Sequence, residues 1–185
     1  HIASLTAPMF KKISLELGGK NPNIIFADAN FDKAVKMAVK AAFSNQGQIC
    51  LCGSRLFVQK EIYANFKQAL LDKVSQLTVG DPKKESSNLG AVVSKAHMNK
   101  ILGKIEEGKK LGGKILTGGN RVILEGNLEN GYYIEPTIIE GLPFDCSINQ
   151  EEIFGPVVSL IPFESEEEVI EMANSTKYGL SASIF

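Results

Sequence analysis

The 185 residues are 44% hydrophobic and 22% charged, with a net charge of −1, a profile that fits one globular domain with a full core and excludes a basic face for nucleic acid. No apolar run approaches the roughly 20 residues needed to cross a bilayer, and the opening HIASLTAPMF lacks the basic flank and long apolar centre of a signal peptide. Three cysteines form a poor disulfide framework and favour a reducing setting, the cytoplasm or an organelle interior, in which the triplet Asn174-Ser175-Thr176 carries no weight as a glycosylation site.

The chain begins on His1 rather than Met, which points to a piece of a longer protein. In chain order, PNIIFAD (22–28) predicts a buried strand, because β-branched and aromatic residues run together and close on turn formers. Phe31, Ala34, Val35, Ala38 and Ala42 then recur at helical spacing behind Asn30 as cap, and this helix should end near Gln46-Gly47. SRLFVQ (54–59) reads as a second strand, and Ile62, Phe66, Leu70, Val74 and Leu77 as the stripe of a second helix. Gly80-Asp81-Pro82 breaks the chain, HMNKILGKIEEGKKLG (97–112) predicts a third helix, and KILTGG a strand after it.

Residues 118–131, rich in Gly and Asn, suit a surface excursion. YYIEPTIIEGL (132–142) and PVVSLIPF (156–163) are strand-like, Ser165 with Glu168 forms a capping box before VIEMAN, and SASIF (181–185) reads as a last strand. Strands alternating with helices predict an α/β fold, a mainly parallel sheet with helices on both faces, since parallel neighbours need crossovers.

Cys50 and Cys52, in FSNQGQICLCGSR (43–55), raise four possibilities. A structural zinc needs about four ligands, and only Cys146 and two histidines remain to join them. A disulfide between residues two apart closes a strained ring. Plain packing of both thiols as small hydrophobes stays open. Reactivity at Cys50 also stays open, because it follows a helix end in a glycine-containing loop and leads into a strand, a junction accessible to ligands. A helix C-terminus disfavours a thiolate, so activation must come from another group.

Glu16, in SLELGGK, is a lone acid in a strand-like setting. Burial there would raise its pKa and suit it to general-base work; on the residues alone an exposed strand-end carboxylate is the plainer reading. GKKLGGKI (108–115) nearly matches a phosphate-binding loop but has Ile115 where Ser or Thr is required, and no G-x-G-x-x-G occurs. In QEEIFGP (150–156) a carboxylate could accept hydrogen bonds from ribose hydroxyls and an aromatic face could pack on a flat heterocycle. Spacing alone is equally served by a charged loop with one core phenylalanine.

Read together, LELGGKNPNIIFADA (15–29), FSNQGQICLCGSR (43–55) and EEIFGPV (151–157) resemble the signature segments of the NAD(P)-dependent aldehyde dehydrogenase superfamily, with 34 residues from Glu16 to Cys50. VGDP, GYYIEPT and YGLSASIF extend the resemblance over essentially the whole chain. It implies that Cys50 is the catalytic nucleophile, with its backbone N–H as an oxyanion donor, and that Glu16 is the general base. By the same resemblance Glu152 holds the nicotinamide-side ribose of NAD or NADP and Phe154 packs near the nicotinamide ring. Cys52 has no assigned role and no metal is required.

The resemblance further implies a catalytic domain at 19–185 and, at 1–18, the tail of a cofactor domain. The whole enzyme would be a homodimer or homotetramer acting on a small-molecule aldehyde, without nucleic acid or membrane partners. The branch most resembled is that of 2-aminomuconate-semialdehyde dehydrogenases. A non-catalytic folding or oligomerisation unit, and a dehydrogenase passing its acyl group to coenzyme A, are the competing expectations; Glu16, a water-activating base, speaks against the latter.

Overall fold

A computed structural model describes all residues from His1 to Phe185. The amino-terminal stretch forms a short helix α1 (Ile2–Thr6) and a 3-10 turn (Ala7–Met9), and then runs without regular structure to the first strand. Strand β1 (Pro22–Ile25) leads into α2 (Phe31–Phe43), whose first turn is closed by the Asn30 side chain accepting from Lys33 N at 3.1 Å. β2 (Arg55–Gln59) and α3 (Tyr63–Val74) follow. α4 (Lys95–Lys110) is capped by Ser94 Oγ, which accepts from His97 N at 3.1 Å. β3 (Lys114–Thr117), β4 (Arg121–Val122), β5 (Tyr133–Ile134) and β6 (Thr137–Glu140) come next, then the short α5 (Ser147–Gln150), β7 (Val157–Phe163), α6 (Glu166–Asn174) and β8 (Ser183–Ile184).

Six strands form one sheet in the order β3-β6-β7-β2-β1-β8, parallel except for β3 against β6. Side chains alternate across it, so each strand feeds two cores. Ile25, Leu56, Val58, Val158 and Leu160 face α2 and α3, where Phe66, Leu70 and Val74 complete one cluster. Ile139 and Val157 pack under α4 and α5 with Ile101, Ile105 and Ile148. Ile24, Phe57 and Phe163 meet Val169 of α6 on that same second face. Both faces are therefore covered, as a parallel sheet requires, and each fully buried Leu, Ile or Phe contributes about 1.5–3 kcal/mol of transfer free energy.

Three expectations change. YYIEPTIIEGL is not one strand: it splits at Pro136, which has no N–H for a ladder, so that Tyr133–Ile134 pairs with Arg121–Val122 in a separate two-stranded ribbon while Thr137–Glu140 joins the main sheet. The excursion at 118–131 thus contains half of that ribbon. SLELGGK, read as strand-like, lies outside every sheet. No helix is long and apolar enough to cross a membrane.

Candidate active site

β7, β2 and β1 are parallel neighbours, with Arg55 in register with both Pro22 and Ser159. The segments entering them therefore converge on one sheet edge: Lys20-Asn21 before β1, Cys50–Ser54 before β2, and Glu152–Pro156 before β7. Ligands of open α/β sheets usually bind beyond the carboxyl ends of the strands; this cluster occupies the opposite, amino-terminal edge.

The loop bearing Cys50 is fixed by its backbone. After α2, Asn45, Gln46 and Gly47 all adopt left-handed φ values of 49°, 56° and 69°. Gly47 is required there twice over, because a Cβ would also overlap the carbonyl of Gly155. Gln48 Oε1 then accepts from Val93 N at 3.0 Å, pinning the loop to the approach to α4. Asn21, 3% exposed, donates its amide to Cys50 O at 2.7 Å and to Cys52 O at 2.9 Å, while its Oδ1 accepts from Ser181 N at 3.2 Å. One buried side chain thus satisfies both carbonyls of the cysteine loop.

The two thiols differ. Both line a cleft with Gly19, Gly47, Glu152, Phe154 and Gly155, but Cys50 is half-buried. Cys52 is buried at 9% exposure, and that burial pushes its thiol pKa up. All three cysteines are free. No group of three or more His, Cys, Asp or Glu side chains that could hold a metal is present.

The opposite wall comes from 152–155. Glu152 Oε1 accepts from Gly19 N at 3.2 Å, and its carboxylate lies so close over Gly18 that any side chain there would overlap it. Phe154 has a left-handed φ of 59°, uncommon for an aromatic residue, and is 37% exposed. His97 Nε2 lies 2.6 Å from Phe154 O, so it donates to that carbonyl, and the two rings meet edge-to-face at 6.2 Å. The cleft between these walls encloses about 10 Å³, roughly the room one water needs, so an organic substrate would lie against its open side.

The structure thus brings Cys50, Glu152 and Phe154 together and leaves Glu16 outside the cleft, exposed. Glu16 is three residues from Gly19, whose Cβ position would lie 2.9 Å from Cys50 O, and three residues reach at most about 11 Å. Asn21, Arg55 and His97 were not singled out from the sequence. Their partners are 29 to 160 residues away in the chain, so no local pattern marks them. Arg55, 1% exposed, donates to Lys20 O at 2.9 Å, Met172 O at 2.8 Å and Ala173 O at 2.7 Å. It caps the end of α6, where a cation is favoured, and ties it to the entry of β1.

The family model described as "Aldehyde dehydrogenase family" matches residues 1–185. The chain belongs to the aldehyde dehydrogenase family. Over its full length it is 45% identical to the 2-aminomuconic semialdehyde dehydrogenase of Mus musculus and 42% identical to the 4-trimethylaminobutyraldehyde dehydrogenase A of Danio rerio, covering 38% and 36% of these proteins. Among solved structures, it is similar along its whole length to the betaine aldehyde dehydrogenase of Staphylococcus aureus in complex with NAD+, with a TM-score of 0.93, 42% identity and 38% of that chain covered. An aldehyde dehydrogenase from Bacillus cereus gives 0.92 and 40%, with 36% covered. The chain of this aldehyde dehydrogenase family member thus spans a little over a third of the length of these relatives.

Proposed function

We propose that this chain carries the thiol-bearing part of an NAD(P)-dependent aldehyde dehydrogenase. The observation that carries the reading is the cleft in which a half-buried Cys50 faces Glu152 and Phe154, with its loop clamped by Asn21. Family membership and the Staphylococcus aureus relative, described in complex with NAD+ and with a BME-modified cysteine, support it.

The residues fit the nicotinamide end of such a cofactor. Glu152 offers carboxylate lone pairs beside the Gly19 amide, and the exposed Phe154 ring offers an apolar face. Bound NAD(P)+ would supply a hydride acceptor. The sulfur of Cys50 attacks the aldehyde carbon as its proton leaves, giving a thiohemiacetal whose oxyanion can take the Cys50 backbone N–H. Loss of hydride from that carbon leaves a thioester on Cys50. Glu16 takes a proton from the water that attacks the thioester, releasing the carboxylic acid and the thiol. Its distance along the chain from Gly19 allows such an approach from the open side of the cleft.

The substrate is an aldehyde, and 2-aminomuconic semialdehyde, betaine aldehyde and 4-trimethylaminobutyraldehyde are the ones to assay, since the relatives named for them differ by only three points of identity. We place the whole protein in the cytoplasm as a homodimer or homotetramer. The deciding experiment uses the longer protein that carries these residues, with NAD+ or NADP+ and each aldehyde. Cys50→Ser should abolish reduced-cofactor formation, and Glu16→Gln should leave acyl-enzyme on Cys50, seen by intact mass. Retained turnover in Cys50→Ser would refute the assignment, and an acyl-CoA product would replace hydrolysis with transfer.

A further inference from the structure

On the other side of Asn21 lies a larger cavity of about 230 Å³, with Lys20, Arg55, Thr176, Tyr178 and Ser181 in its walls. Lys20 is 2% exposed and Arg55 1%. Neither takes part in any ion pair of the chain. Three of the five Arg55 N–H groups go to carbonyls, and the Lys20 ammonium donates no hydrogen bond.

Burying one unpaired cation is costly, and two side by side are more so. The strain is visible in their acidity: burial, then repulsion by Arg55, pushes Lys20 down to about 7, while burial pushes Arg55 down to about 10. Cys146 and Glu152 favour the Lys20 charge, and Lys104 opposes it, without cancelling the effect. Hydroxyl donors stand alongside. Ser181 Oγ has no partner within the chain, and Tyr178 OH accepts weakly from Glu152 N at 3.5 Å, leaving its proton to give. The Asn21 amide, by contrast, is fully engaged.

We propose that this cavity is a carboxylate site, in which Lys20 and Arg55 supply the charge and the hydroxyls of Tyr178 and Ser181 the remaining donors. Its volume is below the range of drug-sized pockets, which suits a small acid or one acidic side chain. The site is separate from the Cys50 cleft but joined to it twice: Tyr178 OH accepts from Glu152 N, and Asn21 accepts from Ser181 N on the cavity wall while holding both carbonyls of the cysteine loop. The carboxylate is either a free small acid or an Asp or Glu side chain from protein outside these 185 residues.

The test uses the longer protein that carries the chain, with 15N-labelled lysine. Sodium acetate is titrated against sodium chloride at matched ionic strength, the Lys20 ammonium resonance is followed, and a crystal structure is solved in acetate. For a free acid, acetate but not chloride shifts the resonance to saturation, with affinity falling about tenfold per pH unit once Lys20 deprotonates, and the structure shows acetate on the Lys20 nitrogen. For an acidic side chain, Lys20 stays protonated beyond pH 9 without acetate, and the structure shows an Asp or Glu oxygen within hydrogen-bond distance. Lys20 titrating near 7 with and without acetate, or meeting only water or a carbonyl oxygen, overturns the proposal. Lys20→Met serves to assign the resonance; should it not fold, the structure still decides.

Discussion

Asn21→Ala tests whether one amide holds the cysteine loop. The substitution strips hydrogen bonds of 2.7 and 2.9 Å from Cys50 O and Cys52 O, and frees Ser181 N from a third of 3.2 Å. A buried carbonyl left without a donor costs about 1–3 kcal/mol. The Cys52 bond is buried and falls in the upper part of that range, whereas Cys50 O is only part-buried and can recruit water. The sum is about 3 kcal/mol, a large share of the 5–15 kcal/mol that typically holds a domain together. For a chain of this size it lowers Tm by roughly 6–12 °C. Urea unfolding gives the free energy, and iodoacetamide labelling below the transition reports on the loop. In the native protein Cys50 should label well before Cys52, which is buried and has a raised thiol pKa. In Asn21→Ala the ratio should narrow as Cys52 loses its cover. A loss under 1 kcal/mol with the labelling ratio unchanged would refute the clamp.

Gly47→Ala places a Cβ at φ 69° and against Gly155 O. The left-handed conformation alone costs about 1–2 kcal/mol and the overlap adds to it, so thermal melts should show a loss above about 2 kcal/mol, and an unchanged Tm would contradict the turn. Lys20 makes stability depend on pH. Its pKa is lowered from 10.5 to about 7 on folding, so between those values the unfolded state binds more protons and stability rises with pH, by at most about 1.4 kcal/mol per unit; below about 7, where both states are protonated, the dependence ends. Comparing urea midpoints of wild type and Lys20→Met from pH 6.5 to 10 isolates the effect, and parallel curves would exclude it unless a carboxylate already neutralises Lys20. His97→Ala removes the donor to Phe154 O and the edge-to-face contact. Under the role proposed for Phe154, its loss of the left-handed conformation should weaken NAD+ binding by the longer protein by about tenfold with little change in Tm, as fluorescence titration would show; unchanged NAD+ affinity would argue against that role or show that Phe154 holds its place unaided.

Much of the fold was legible because apolar spacing and cap chemistry are local. Asn30 and Ser165 cap the helices they precede, and the Phe66, Leu70, Val74 stripe is buried on the sheet. The capping box was right in its residues and shifted in its geometry: Glu168 Oε2 accepts from Glu164 N, one residue ahead of the cap. The ribbon of β4 and β5 was not legible, since two-residue strands carry no alternation. At the site, the place of Cys50 between helix and strand left reactivity and plain packing both open, and only the family resemblance singled it out. Asn21, Arg55 and His97 could not be picked out, because their roles exist only once β1, β2, β7 and α4 are assembled. Glu16 shows the converse: SLELGGK alternates like a strand, yet Gly18 takes a φ of 78° beside the Glu152 carboxylate and the segment pairs with nothing.

The placement of Cys50 runs against the simplest way to activate a thiol. It follows the carboxyl end of α2, where the helix field disfavours a thiolate, and shares its cleft with the Glu152 carboxylate. The three left-handed residues after Phe43 and Ser44 turn the chain away from the helix axis, which weakens the first effect, because the helix field fades within a turn. Neither the turn nor the Asn21 clamp supplies positive charge; the buried cations Lys20 and Arg55 line the cavity beyond Asn21. What the fold provides at Cys50 is therefore position: a thiol held by its backbone at the mouth of an open cleft, with a carboxylate and an aromatic ring across from it. Such an arrangement suits a nucleophile that the fold positions and that is activated from outside the cleft, the part proposed for Glu16.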